Sequence, residues 1–536
     1  MIDDPSQATG EPLAEAFETS DVAQRPLHQR GSIRFGTTLV ASVLRAGVSM
    51  LTGLLIARAL GASRYGDLSF LLGSFAAMNL LLDAGSTPAF YTFISERRRP
   101  PVFFAFYLTW TLGVQFFGSM LILLLAPQRA VSAVWLGQSR ADILLAFCAS
   151  FAVSQLWMFV SQMGEAARKT VVIQAITVSQ AVVHLVLVAA FWKAGLLSVR
   201  TVLILQFAEM ALIAAVVGPR VLRWNLLEDG SVRLREVVRA FVDYCRPLVL
   251  LSIIGFAYTF ADRWMLQRFG GAQQQGFFSI GQQFSAIGLL ATSAVLNVFW
   301  KEVAEARARN DGARLRMLYQ MVRRAVYLVG AWTAALLIPY SREILRFTAG
   351  EAYSAAWLPL ALLFLFSVHQ SLGQVQGAFF KAMGETKAYT LIGSTMIALS
   401  IPVTYFILAP PTAPVAGAGL GGVGLALKMV LLQLAGVTLE GMWLIRRFHV
   451  SSDFGFQLAI LGGCLLLSYA AKYASQSVLH LFLQPPGPVI SFVSGGFCFV
   501  VVTLTLIVAF RRRLGLSGFT ASSLMGSTWL RGKEAT

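Results

Sequence analysis

The chain has 536 residues, 56% of them hydrophobic and 13% charged, with a mean hydropathy of +0.67 and a formal net charge of +17. Soluble domains carry about 25% charged residues, so a wet globular surface is excluded, and with it the reading of the positive charge as a nucleic-acid surface. The composition implies an all-α integral membrane protein with no soluble domain of any size.

Residues 1–34 are polar and acidic at first, without the apolar core of a secretory signal, and are expected to form a disordered cytoplasmic tail. A crossing needs about 20 apolar residues. Segments of that kind lie near 35–57, 66–91, 102–126, 142–164, 170–192, 199–220, 246–267, 276–299, 318–340, 354–380, 388–409, 416–444, 455–475 and 487–510, which predicts about 14 transmembrane helices. Pro485, Pro486 and Pro488 delay the last one. With both termini inside, inner segments hold roughly 30 Lys and Arg and outer ones roughly 11, which sets the orientation by the positive-inside rule. The inner clusters include Arg97-Arg98-Arg99, Arg233/Arg235/Arg239, Arg307/Arg309/Arg314/Arg316 and Arg511-Arg512-Arg513.

An internal repeat emerges from the numbering. Arg58, Gly61, Ala62, Gly66 and Ser69 recur as Arg268, Gly271, Ala272, Gly276 and Ser279. The offset is about 210 residues without gaps. Gly164-Glu165 with Thr170 is echoed by Gly384-Glu385 with Thr390. Both echoes relate helix n to helix n+6, so the halves keep one orientation and their pseudo-two-fold runs along the membrane normal. The expected organisation is an N-lobe of six helices (35–220), a cytoplasmic linker (221–245), a C-lobe of six (246–447), an appended pair (448–510) and a cytoplasmic tail (511–536).

No phosphate-cradling G-x-x-x-x-G-K-[ST], no H-E-x-x-H and no Cys/His cluster occurs; no cofactor, metal or enzymatic activity is expected. Cys148, Cys245, Cys464 and Cys498 show no C-x-x-C spacing. Chemistry is left to ionisable groups inside the apolar segments, where each costs several kcal/mol unless it faces water or a partner. Arg45 and Lys428 lie midway along the first and twelfth helices, and Glu209 midway along the sixth. Asp83 lies in the inner third of the second helix, where Ala84-Gly85-Ser86 suits a helix break. Asp262 and Arg263 lie in the outer third of the seventh; Arg263 either snorkels to the outer surface or faces the interior. His184 and His369 are expected to be interhelical hydrogen-bond partners. Gln282, Gln283, Gln370, Gln374, Gln376 and Gln433 suggest a polar interior, Gln282, Gln370 and Gln374 being candidates to line a cavity. The alternative is ordinary interhelical bonding, worth about 1 kcal/mol each. A glycine run, Gly417 to Gly424, opens the twelfth helix.

Ala57-Arg58-Ala59-Leu60-Gly61 with Tyr65-Gly66 resembles the signature of bacterial polysaccharide flippases. So do Pro247 followed by Asp262-Arg263 and Gly276, and the Gly419–Gly424 run with Ala426. These flippases share a superfamily with multidrug and toxin extrusion antiporters and peptidoglycan precursor flippases. The resemblance, over helices 1–12, implies two six-helix bundles around a cationic cavity. It implies alternating access that moves an isoprenoid-diphosphate-linked oligosaccharide (an O-antigen, capsule or exopolysaccharide unit) to the outer leaflet of the cytoplasmic (inner) membrane. Two additional helices resemble the peptidoglycan precursor branch, whose denser first-helix arginine run is missing here. On this reading Arg45, Lys428 and Arg263 are substrate-binding cations, and Glu209, Asp83 and Asp262 are ion-coupling candidates. The partners implied are the lipid-linked glycan, membrane lipids, and a polysaccharide polymerase with its export machinery, with the flippase acting as a monomer. Competing readings are a drug/cation antiporter, which would need an acidic cavity, and a membrane polysaccharide polymerase or ligase, which would need a large outer catalytic loop.

Overall fold

A computed structural model describes residues 27–227, 232–451, 453–480 and 487–509. Most of the two expected tails, the middle of the linker, and Pro485 and Pro486 lie outside the described residues. The described elements are helices in the order α1 (Leu27–Asp83), α2 (Ser86–Glu96), α3 (Pro101–Leu108), α4 (Ser119–Leu125), α5 (Gln128–Trp135), α6 (Arg140–Phe151), α7 (Met158–Ala166), α8 (Thr170–Lys193) and α9 (Val199–Asn225). They continue with α10 (Leu234–Met265), α11 (Gly271–Ala308), α12 (Gly312–Leu337), α13 (Ser341–Thr348), α14 (Trp357–Ala382), α15 (Thr386–Leu408), α16 (Gly421–Phe448), α17 (Phe454–Leu479) and α18 (Pro488–Ala509). Wider π-helical turns join α3 to α4 and α6 to α7. An isolated bridge pairs Arg99 with Leu226.

Among the described residues, 12 continuous helical stretches are long and apolar enough to cross a membrane. Two are far longer than one crossing: Val40–Asp83 with 44 residues and Leu234–Ala286 with 53. At 1.5 Å per residue each exceeds the ~30 Å hydrocarbon layer about twofold. Each is broken at the first glycine of the repeat: Gly61 has φ 73, ψ 169 and Gly271 has φ 78, ψ 174. Only glycine adopts that backbone without strain. The expected loop 58–65 is thus a single-residue hinge, because one left-handed glycine reverses the chain without unwinding its flanks. The second expected helix, 66–91, is two: Ala84 (φ 47) and Gly85 (φ 86) turn the chain between α1 and α2. The glycine run does not open the twelfth helix at Gly417. Gly419 and Gly421 have φ 63 and 53, so α16 starts only at Gly421.

The repeat echo is also an interface. A Cβ on Gly66 would overlap the Ala272 carbonyl oxygen, and one on Gly276 the Ala62 carbonyl oxygen. Helices of α1 and α11 therefore meet backbone to backbone, as small residues permit where no hydrophobic driving force operates between helices. Cross-lobe hydrogen bonds surround this contact: Tyr353 OH to Ala57 O at 3.2 Å, Gln267 Nε2 to Asp67 Oδ1 at 3.0 Å and Trp264 Nε1 to Ala133 O at 3.3 Å. The molecule is closed at this end.

α10 straddles the lobes. Its start packs Phe241 and Tyr244 against Phe93, Phe103 and Tyr107, whereas its end joins α15 and α16. α17 and α18 pack on the second lobe, through Trp332 Nε1 to Thr503 Oγ1 at 2.8 Å and Lys472 Nζ to Glu343 Oε1 at 2.7 Å. Asp453, just before α17, is buried and accepts from both Arg323 and Arg324 of α12.

Candidate functional site

The ionisable residues singled out in the sequence fall into separate local networks. Lys428 on α16 is 1% exposed and does not stand free: Nζ donates to Asp262 at 2.8 and 2.6 Å and to Thr404 Oγ1 at 3.1 Å. The Thr404 hydroxyl donates to Asp262 Oδ1 at 2.7 Å, and Tyr258 places its ring 5.2 Å from the ammonium. All three ammonium donors are used, and Lys428 forms a clasp between α10, α15 and α16. Asp262 is thus paired with Lys428 of α16 rather than with its chain neighbour Arg263.

Arg263 follows Asp262 and so points about 100° away around the helix. It does not snorkel outward. Its side chain lies across Gly73 of α1, where a Cβ would collide with the guanidinium stem, and Nη2 donates to Gln282 Oε1 at 3.1 Å. One arginine of the second lobe thus spans to the first, using one of its five N–H donors in a recorded bond. Gln283 sits beside it, accepting from Tyr65 OH at 3.3 Å and donating to Met50 O at 3.1 Å. Arg45, on the α1 segment before the Gly61 hinge, whereas Gly73 lies after it, is exposed and has no ion-pair or hydrogen-bond partner among the described residues.

Glu209 is buried on α9 and bound to α8: Gln180 Nε2 donates to Oε2 at 3.0 Å and His184 Nδ1 lies 2.9 Å from Oε1. Asp83 caps a helix, its Oδ1 accepting from Thr87 N and Ser86 Oγ at 2.9 Å and from Thr87 Oγ1 at 2.5 Å. The bond from Thr87 N satisfies one of the backbone donors that the break at Gly85 leaves open. Gln370 and Gln374 lie half-buried on α14. Sequence reasoning missed Thr404, Tyr258, Gly73 and Asp67. The only signal for Asp67 was its place after Gly66; a glycine that seats an arginine from another lobe leaves none.

Fold and site together describe an all-helical protein with 12 stretches long and apolar enough to cross a membrane among the described residues, and with charged side chains held between its helices. Residues 34–299 match the sequence model of the family described as "Polysaccharide biosynthesis protein". The lipid II flippase MurJ in an inward closed conformation matches with a TM-score of 0.66 at 12% identity, covering 90% of this chain and all of that one. An inward-facing multidrug resistance MATE family transporter of the MOP superfamily gives 0.55 at 13% identity, over 78% of this chain and all of that one. A MOP superfamily transporter from Pyrococcus furiosus, described as having a binding pocket of reverse polarity, gives 0.50 at 12% identity over 78% and 97%. No curated protein matches in sequence. The chain is thus similar in sequence to that polysaccharide biosynthesis family over residues 34–299, and it shares its fold with these transporters over most of its length.

Proposed function

We propose that the protein is a flippase that carries an isoprenoid-diphosphate-linked oligosaccharide from the inner to the outer leaflet of the bacterial cytoplasmic membrane. The observation that carries this reading is Arg263 reaching across to Gly73 with most of its donors uncommitted, while the unpaired Arg45 lies on the crossing before the Gly61 hinge. A diphosphate in low dielectric needs compensating cations, and a guanidinium fork matches phosphate oxygens. Both termini are inside, the chain crosses 14 times when the stretches broken at Gly61 and Gly271 count as two each, and the closed end is the outer one. Opening there separates Gly66 from Gly276 while the inner end closes, which is alternating access between two parallel repeats.

Lys428 and Asp262 hold the second lobe together in this scheme. Proton coupling falls to Glu209 and His184, the buried acid and imidazole that share a hydrogen bond. Neutralisation of Asp262 by Lys428 disfavours the drug/cation antiporter, which needs free acid in its path. The glycan, a polymerase and an export partner are downstream. The test is complementation of a flippase-null strain, with expression checked by immunoblot. Arg45→Ala and Arg263→Ala should each reduce surface polysaccharide severely, and full export by both would refute the cationic grip. Transport by vesicles bearing Glu209→Gln should lose its dependence on a proton gradient; unchanged coupling would remove the acid from the cycle.

A further inference from the structure

At the end of the molecule opposite Gly61, a pocket of about 320 Å³ opens in the first lobe. Ile94, Ala166 and Trp224 give it an apolar floor, and Arg97, Arg98, Arg168 and Lys169 stand around it. None of the four cations makes an ion pair among the described residues, and Lys169 lies only over the Trp224 ring, 5.9 Å from its centroid. Of the acids beside it, Glu96 is held by Arg99 at 2.8 Å. Glu165, one residue before the lining, pairs with none of the four. The walls are fixed before any ligand arrives. Arg99 N donates to Asn225 O at 3.1 Å and Leu227 N to Arg99 O at 2.9 Å, which pins the segment after α9 to the one before α3. Asn225 is itself buried, donating to Met163 O at 2.9 Å and Val221 O at 2.8 Å.

The second lobe offers the comparison. Its echo of Gly164-Glu165 is Gly384-Glu385, and there the corner is filled from within. Arg307 Nη1 donates to Ala382 O at 2.9 Å, and Arg447 Nε pairs with Glu385 at 3.2 Å. In the second repeat Arg307 and Arg447 are bonded within that corner, whereas the four exposed cations around the first repeat's cleft have no ion-pair partner among the described residues. Like charges so gathered repel unless an anion joins them.

We propose that this pocket binds a phosphate-bearing group, with the cations on the phosphate and the Trp224 floor beneath the adjoining carbon skeleton. It is separate from the path containing Arg45 and Arg263, so it stands or falls independently of the transport reading. The same chemistry is offered by a lipid headgroup and by free phosphate. The experiment titrates purified full-length protein in neutral detergent with phosphatidylglycerol, with inorganic phosphate, and with a neutral glycolipid of matched chains, following thermal stabilisation. The exposed pair Arg98→Gln/Lys169→Gln should weaken the effect of the active ligand by about tenfold or more. The exposed pair Arg309→Gln/Arg316→Gln in the second lobe should leave it unchanged. Stabilisation by phosphatidylglycerol alone identifies a headgroup, and stabilisation by phosphate as well identifies a general anion site. The proposal is overturned if neither phosphate-bearing ligand acts, if the neutral glycolipid acts equally, or if both variant pairs lose the effect alike.

Discussion

Gly66 and Gly276 face each other across the pseudo-two-fold, each with its missing Cβ directed at the other repeat's backbone. The alanine that follows the hinge glycine in one repeat, Ala62 or Ala272, supplies the carbonyl oxygen against which the other repeat's glycine lies. The first prediction concerns this contact. Gly66→Ala and Gly276→Ala should each force the lobes apart at the closed end, with an overpacking cost of about 1–3 kcal/mol. Because the contact belongs to one state of the cycle, each variant should shift the protein toward the state open at that end. Cysteine accessibility at the Tyr353–Ala57 seam would report it, and an unchanged labelling rate would count against the closed end being a gate.

Lys428 and Asp262 are coupled, which separates single from double substitutions. Lys428→Ala strands a carboxylate among helices and should cost about 3–5 kcal/mol, whereas the neutral pair Lys428→Ala/Asp262→Ala should recover much of that. Thermal unfolding in detergent gives both numbers. If Lys428 instead served the ligand directly, the double variant would be as stable as wild type and as inactive as the single one.

Gly73 gives a way to move Arg263 without touching it. Gly73→Val places carbon where the guanidinium stem lies, so Arg263 must leave its seat and its bond to Gln282. A hydrogen bond to a charged group is worth about 1.5–3 kcal/mol, so transport should fall about tenfold or more with normal membrane insertion. Arg263→Lys, which keeps the charge but loses the fork, should fall short of wild type as well. Normal flux in Gly73→Val would show that the position of Arg263 is immaterial.

Asp453 makes a pH-dependent lock. Burial alone would raise its carboxyl, but hydrogen bonds from Arg324 and Arg323 and their charges outweigh burial and hold it below the ordinary value of 3.8. A depressed acid stabilises the folded state above its unfolded pKa, and the contribution is lost as pH falls through the folded value. Stability of the α12–α17 contact should therefore be flat from neutrality to about pH 5 and decline below about pH 4. Asp453→Asn should flatten that acid limb and lower stability at pH 7, since Arg323 is buried and loses its counter-charge. Melting curves across pH 3–7 decide it; an unaltered acid limb in the variant would be the contrary result.

The helices were legible because twenty apolar residues in a row leave the backbone one way to satisfy itself in lipid. The repeat was legible because the hinge needs glycine and the crossing needs a second one, so Gly61 and Gly66 had to recur together as Gly271 and Gly276. That Lys428, Glu209 and Asp262 lie inside long apolar helices could also be read. Their pairing could not: Asp262 lies 166 residues from Lys428, and three-dimensional neighbours at that separation leave no periodic trace. Thr404 and Tyr258 read as ordinary members of apolar helices for the same reason. The break after Asp83 was visible in Ala84-Gly85-Ser86, whereas the late start of α16 depended on the φ values of Gly419 and Gly421, which several arrangements of a glycine run would permit.

The anchoring of α17 and α18 has a mechanical consequence. Trp332, Lys472 and Asp453 fasten that pair to the second repeat, so in the proposed cycle the two halves would carry unequal loads. Rocking in a viscous bilayer displaces lipid in proportion to the area swept, and the burdened half moves less for the same torque. In the proposed cycle the lighter first repeat, with α10 as its tether, would be the lever, and the second the stator against which it turns.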